Sequence, residues 1–151
     1  MRYVVEAQID RRAEEVFAFL SDLRNERIWN PAAQRVTLLT PEPIGIGSRF
    51  EAEWANAPVT GVLLTRYEPP HSWETRSRSL GMEVDFRGEV TPAAQGCRYR
   101  ATVTVRPHGW ARVVAPIAVW GMRRAEADNM RRIRAALEEQ SKKKTGSEEA
   151  G

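Results

Sequence analysis

The chain has 151 residues, of which 42% are hydrophobic, and a formal net charge of +3. A chain of this length forms one ordinary domain whose core is large enough to tolerate an internal cavity. The single cysteine, Cys97, excludes an internal disulfide and a multi-cysteine zinc site, and we expect it to be a small buried residue. No apolar run could span a bilayer, and the sequence starts in a strand pattern without an export signal. We therefore expect a cytoplasmic protein with no integral membrane segment.

The basic residues are unevenly distributed along the chain. Of the 23 basic residues 20 are Arg, and the three Lys are adjacent, at 142–144. The segment 141–151 has no apolar periodicity and mixes these Lys with Glu, which is typical of a solvated, disordered end. The sequence therefore predicts a folded domain over 1–140 and a disordered tail over 141–151. We expect no binding of nucleic acid.

The first elements predicted are a strand and an amphipathic helix. The strand covers Tyr3–Ile9, and the helix runs from Arg11 to about Leu23 with Asp10 as its N-cap. Apolar residues recur along this helix at a spacing of three to four, at Val16, Phe19, Leu20 and Leu23. The segment stops at Trp29-Asn30-Pro31.

Four more strands and a hairpin fit the middle of the chain. Short strands are predicted over 36–40, 49–54, 60–67 and 72–79, separated by segments rich in Pro and Gly. In 49–54 the apolar Phe50, Ala52 and Trp54 share one face, while Glu51 and Glu53 lie on the other.

Alternation is clearest over 82–90 and 97–105, which predicts a long hairpin. Its register should place Glu89 opposite Arg100 and Glu83 opposite Arg106.

The last element predicted is a long helix from about Trp110 to Glu139. Apolar residues recur along it at helical spacing, and Arg occupies much of the remaining surface. Pro116 interrupts this pattern, so we expect a kink or a break near Ala115.

The order of these motifs resembles that of a known family. The chain has a strand, a capped helix and a Trp-x-Pro stop, then Gly45-Ile46-Gly47-Ser48-Arg49-Phe50, then Tyr67-Glu68-Pro69-Pro70 and a closing long helix. From Tyr3 to Leu137 it resembles the START-like (SRPBCC) superfamily, specifically its polyketide cyclase/dehydrase group. The resemblance implies an α+β helix-grip fold, a curved antiparallel β-sheet wrapped around a long C-terminal α-helix. It also implies a cavity between the two that the N-terminal half of this helix lines.

Motifs for metal or cofactor chemistry are not found. His71 and His108 have no other residue at a metal-ligand spacing, and the sequence contains neither a Gly-x-Ser-x-Gly elbow nor a phosphate-binding Gly loop. We expect no metal and no cofactor.

Large apolar and aromatic side chains on the inward faces are the candidate ligand-binding residues. Five Trp in 151 residues is a high number, and such side chains commonly line pockets of roughly 300–1,000 Å³. The alternative is that they form a dry core. We predict that Trp54, Trp73 and Trp120 are mostly buried. The candidates are Trp54, Trp73, Thr75, Phe86, Tyr99, Val113, Ile117 and Trp120.

Ring closure of a polyketide would need a base to form the enolate and a donor to stabilise its oxygen. Tyr99 and Thr75 are possible donors, as is Arg66 if its strand points it inward. No inward carboxylate or histidine is evident, so the catalytic residues are unassigned and turnover is not expected.

Binding of a small hydrophobic or aromatic molecule, such as a lipid, polyketide or isoprenoid-like compound, is the function the sequence favours. One alternative is a polyketide cyclase/dehydrase acting on an aromatic polyketide. The other is a stress-response or protein-interaction module with a filled cavity. The sequence leaves the ligand, the oligomeric state and the pathway open.

Overall fold

The computed structural model describes residues 1–55 and 57–149. In this part of the chain seven strands form one sheet and three helices pack against it. The strands are β1 (Arg2–Ile9), β2 (Ala33–Leu38), β3 (Arg49–Trp54), β4 (Thr60–Glu68), β5 (Ser72–Ser79), β6 (Met82–Pro92) and β7 (Cys97–Pro107). The helices are α1 (Ala13–Ser21), α2 (Glu26–Trp29) and α3 (Ala111–Glu149), with a 3₁₀ turn, Leu23–Asn25, before α2.

The sheet is antiparallel throughout, in the order β1-β7-β6-β5-β4-β3-β2. The first and last strands are therefore neighbours, and α3 packs chiefly against β1. An open antiparallel sheet with a long C-terminal helix confirms the predicted α+β helix-grip fold.

The β6–β7 hairpin has the predicted register. Glu83 lies opposite Arg106 and Glu89 opposite Arg100. A carboxylate oxygen of Glu83 is 2.5 Å from the Arg106 guanidinium, whereas Arg100 pairs instead with Glu6 on β1. The charged residues of this hairpin thus lie on the outer face of the sheet, as the alternation indicates.

The core lies between the inner face of the sheet and the helices. Val16, Phe17 and Leu20 of α1 pack with Met130, Ile133 and Leu137 of α3 in one cluster of buried side chains. Cys97 belongs to this cluster, and burial raises the pKa of its thiol to about 11, so its predicted buried position is confirmed.

The start of α1 differs from the prediction. Arg12, not Asp10, is the N-cap residue, and its side chain makes no capping hydrogen bond. Arg11 instead donates hydrogen bonds to Glu15 and to the Leu137 carbonyl of α3. Arg11 thus lies before the first turn of α1 and contacts α3.

The long helix α3 is continuous where a kink or a break was expected. Pro116 lies inside α3, so the helix is not broken near Ala115, and a kink there stays a prediction. At the sixth helical position its ring removes only one intrahelical hydrogen bond, near the helix start. Helical geometry continues to Glu149, and the predicted disorder of 141–151 stays a prediction. Ala150 and Gly151 lie outside the described residues, and a tail that contributes nothing to folding stays a prediction.

The indole of Trp73 is packed flat over a glycine. Gly88 lies opposite Trp73 in the β5–β6 register, and a Cβ at Gly88 would overlap the indole ring. The ring stacks on Tyr99, with centroids 6.1 Å apart and an interplanar angle of 5°, and Phe17 meets it edge-on at 5.5 Å. Only a residue without a side chain allows this arrangement.

We predict that Gly88→Ala destabilises the protein. The added methyl group must displace a buried indole, which typically costs about 1–3 kcal/mol. The matched control is Gly61→Ala in β4, where a Cβ meets nothing within 4 Å. Denaturant unfolding should show a loss of stability for Gly88→Ala and none for Gly61→Ala. Equal stabilities would contradict the packing of Trp73 described above.

Candidate functional site

A cavity of about 420 Å³ lies between the inner face of the sheet and the helices. Its wall consists of inward side chains of the strands, of residues from the turn before α2 and from α2, and of Ala118, Met122 and Glu126 of α3. The volume is within the range predicted for a ligand site.

Five of the eight predicted ligand-binding residues lie in this wall. They come from four different strands, and Trp73 is the most buried of them at 1% exposure. The structure thus confirms the inward position that strand alternation predicts for these side chains. The five are Trp54, Trp73, Thr75, Phe86 and Tyr99.

The other three predicted residues point away from the cavity. Val113, Ile117 and Trp120 are 81%, 75% and 63% exposed, so the predicted burial of Trp120 is wrong. Trp120 instead lies against the Arg124 guanidinium, 5.6 Å from the ring centroid. The first turns of α3 bury small residues, Ala111 and Ala115, toward the sheet.

Arg66, one of the candidate donors, does not reach the cavity. The β4–β5 register shifts between Leu64 and Arg66, so that Leu64 is buried and Arg66 is exposed. Arg66 donates to Glu68 over 2.9 Å. It is therefore part of the outer surface.

Two carboxylates line the cavity that the sequence analysis did not identify. Glu26 is the first residue of α2, and its Oε1 accepts hydrogen bonds from Trp54 Nε1 at 2.8 Å and Asn30 Nδ2 at 2.7 Å. Glu126 lies on α3 one turn after Met122, and within the described residues it has no hydrogen-bond or ion-pair partner. The expectation that no carboxylate faces inward is therefore wrong.

The environment raises the pKa of both carboxyl groups. Burial, and then the neighbouring Glu26, raise the pKa of Glu126 from 4.5 to about 7. Burial also raises the pKa of Glu26, and its hydrogen bonds from Trp54 and Asn30 offset only part of this effect. Near neutral pH Glu126 can therefore both accept and release a proton.

Hydroxyl and indole groups complete the polar part of the wall. Burial and the nearby Glu126 raise the pKa of Tyr3 and Tyr99, which keeps both phenols protonated. The indole nitrogen of Trp73 is buried and has no hydrogen-bond partner in the described part of the protein. The wall thus contains two protonated phenols beside two carboxyl groups.

A second depression of about 420 Å³ lies between α2 and the C-terminal part of α3. Charged side chains form part of its wall, among them Arg27, Arg132 and Lys143, which are exposed. This depression lies outside the space between the sheet and α3. We therefore take the cavity between them as the candidate site.

Within residues 1–55 and 57–149, no cluster of three or more His, Cys, Asp or Glu side chains could hold a metal ion. Over the same residues no helix combines the length and the hydropathy needed to cross a membrane.

The sequence matches the family described as polyketide cyclase / dehydrase and lipid transport over residues 1–138. The chain belongs to this family. The family that the order of motifs indicated is therefore confirmed. No curated protein sequence matches the chain.

Solved structures share the fold of this family member. Protein MLL2253 from Mesorhizobium loti is 16% identical, with a TM-score of 0.71 over 92% of this chain and 98% of that one. Ara h 8.0201 is 13% identical, with a TM-score of 0.70 over 91% and 98%. The di-domain ARO/CYC StfQ from the steffimycin biosynthetic pathway is 12% identical, with a TM-score of 0.71 over 93% of this chain and 51% of that one. At such identities the likeness shows the fold alone.

We predict that Glu126 makes stability depend on pH. The pKa of Glu126 is about 7 in the folded state and 4.5 without the environment of the fold. The unfolded state therefore loses this proton first, and the free energy of unfolding falls as the pH rises from about 4.5 through 7. Gln does not ionise, so Glu126→Gln removes this fall. The free energy of unfolding of the variant, relative to that of the wild type, should therefore rise by up to roughly 3 kcal/mol between pH 5 and pH 8.

The measurement is the free energy of unfolding of both proteins across this pH range. Glu139→Gln, an exposed position on the same helix, controls for removal of one negative charge. A constant difference between wild type and Glu126→Gln would contradict the raised pKa of this carboxyl group.

Proposed function

We propose that the protein binds a small, largely apolar molecule, such as a lipid, polyketide or isoprenoid-like compound, in the cavity between the sheet and α3. The observation that carries this proposal is a space of about 420 Å³ whose wall is mostly apolar and aromatic. Apolar surfaces that face an unfilled space gain free energy when an apolar ligand replaces water there. The cytoplasm is the proposed location, and nucleic acid is not a proposed partner.

Membership of a family described by cyclase, dehydrase and lipid transport supports this proposal. The alternative of an interaction module needs the space between sheet and helix to be closed by side chains. The cavity argues against that alternative.

The binding proposal predicts that filling the cavity prevents binding. Ala118 lies in the wall, so Ala118→Phe should place a ring in the space and weaken binding of an apolar fluorescent probe by about tenfold or more. Ala125→Phe makes the same change at an exposed position of α3 and should leave binding unchanged. Fluorescence titration measures both, and circular dichroism verifies that each variant is folded. Equal binding by the two variants would show that the probe binds outside the cavity.

A second candidate function is a cyclase or dehydrase. The observation that favours it is Glu126, a cavity carboxyl group with a pKa of about 7 beside the protonated phenol of Tyr99. A base with a pKa near the working pH abstracts protons efficiently, and a buried phenol can stabilise a developing enolate oxygen. Glu126 would be the base and Tyr99 the donor.

Product formation from linear aromatic polyketide precursors tests this second function. If the protein is a cyclase, Glu126→Gln should lower turnover by roughly 10²–10⁴-fold. Tyr99→Phe should lower it by roughly 10²–10³-fold with little change in binding. If the protein only binds, wild type shows no turnover, and Tyr99→Phe weakens affinity by about 0.5–1.5 kcal/mol. Turnover that survives both substitutions would exclude these residues from the chemistry.

A further inference from the structure

We propose that the cavity selects apolar ligands that carry an ammonium group over apolar ligands that carry a carboxylate. The proposal rests on the proposed function, because it names the chemical class of ligand that the same cavity would take. It is carried by the charges of the wall, by the lack of a partner for Glu126 and by the aromatic rings around the space.

The charges of the cavity wall have one sign. Glu26 and Glu126 line it, and among the described residues of the wall there is no Arg, Lys or His. The described arginines of the strands lie on the outer face of the sheet, where Arg76, Arg87 and Arg106 pair with Glu and Asp. A bound anion would therefore meet two carboxyl groups and no cation.

Glu126, which is half-buried, lacks the partner that a carboxylate in an apolar surrounding usually has. In the described part of the chain it has neither a hydrogen bond nor an ion pair, although it lines a mostly apolar space. Burial of an ionised carboxylate is costly unless an opposite charge compensates for it. An ammonium group on the ligand would supply that charge.

The hydrogen bonds of Glu26 point to the same conclusion. Both donors that hold it, Trp54 Nε1 and Asn30 Nδ2, bind to Oε1. Within the described residues no donor to Oε2 is found. An ammonium group carries three N–H donors, so it has donors for the free Oε2 of Glu26 as well as for Glu126.

Aromatic side chains form part of the wall around the two carboxyl groups. Trp54, Trp73, Phe86 and Tyr99 all lie in the wall. The faces of aromatic rings carry negative charge density and bind ammonium groups, most strongly where water is excluded. The same rings also provide apolar surface for the rest of the ligand.

Binding of an ammonium group should depend on the protonation of Glu126. The groups that face this carboxyl group are Glu26, Tyr3 and Tyr99, and the two phenols stay protonated. Ionised Glu126 attracts the ammonium group, whereas protonated Glu126 does not. Amine binding should therefore strengthen as the pH rises through about 7, while binding of a neutral analogue should not change.

Three probes with one skeleton test the proposal: phenylbutylamine, butylbenzene and phenylbutyrate. At pH 8 calorimetric titration of the full chain should give the tightest binding for the amine, then the neutral hydrocarbon, then the acid. We expect the amine to bind at least about tenfold more tightly than the acid. Glu126→Gln should remove most of this difference and keep the binding of butylbenzene, whereas Glu139→Gln, exposed on the same helix, should keep the difference.

Each other outcome decides against the proposal. If butylbenzene binds and the amine binds no more tightly than the acid, the charge preference is wrong and the proposed function stands. If none of the three probes binds, both the charge preference and the proposed binding function are overturned for ligands of this size. An amine preference that survives in Glu126→Gln would show that this carboxylate is not its cause.

Discussion

The contact between Trp73 and Gly88 positions the parts of the protein on which the site depends. The indole lies flat over the glycine, stacks on Tyr99 of β7 and meets Phe17 of α1. One side chain of β5 thereby connects two further strands and a helix. Its ring also forms part of the cavity wall, so the packing that stabilises the fold shapes the surface that a ligand would contact.

The size of the cavity depends on which face of α3 is turned toward the sheet. Alanines at 111, 115 and 118 face inward together with Val119, while Val113, Ile117 and Trp120 of the same turns are exposed. Small side chains on the helix leave a space that larger ones would fill. Glu126 follows on this inward face, which brings an ionisable group into a mostly apolar surrounding and raises its pKa. The same geometry therefore produces both the space and its electrostatic character.

Strand patterns predicted the sheet side of the site well, and helix patterns predicted the helix side poorly. In a strand every second residue faces inward, so the alternation of apolar and polar residues placed Trp54, Trp73 and Tyr99 correctly. In α3 the apolar pattern holds for the buried Met130, Ile133 and Leu137, but its first part, Val113, Ile117 and Trp120, lies on the exposed face. An inward face made of alanine and glutamate gives little hydrophobic signal, although Glu126 stands at helical spacing from Ala118 and Met122. Glu26 could not be found in this way, because its position depends on a hydrogen bond from Trp54 of β3 as well as on the local one from Asn30.

The central claim is that an apolar ligand binds between the sheet and α3 rather than on the exposed face of α3. The indole N–H signals of the tryptophans report on both places in a ¹H–¹⁵N spectrum. Trp54 and Trp73 line the cavity, whereas Trp110 and Trp120 are exposed. Titration with phenylbutylamine should shift the signals of Trp54 and Trp73 and leave those of Trp110 and Trp120 in place. Shifts confined to Trp110 and Trp120 would contradict the account.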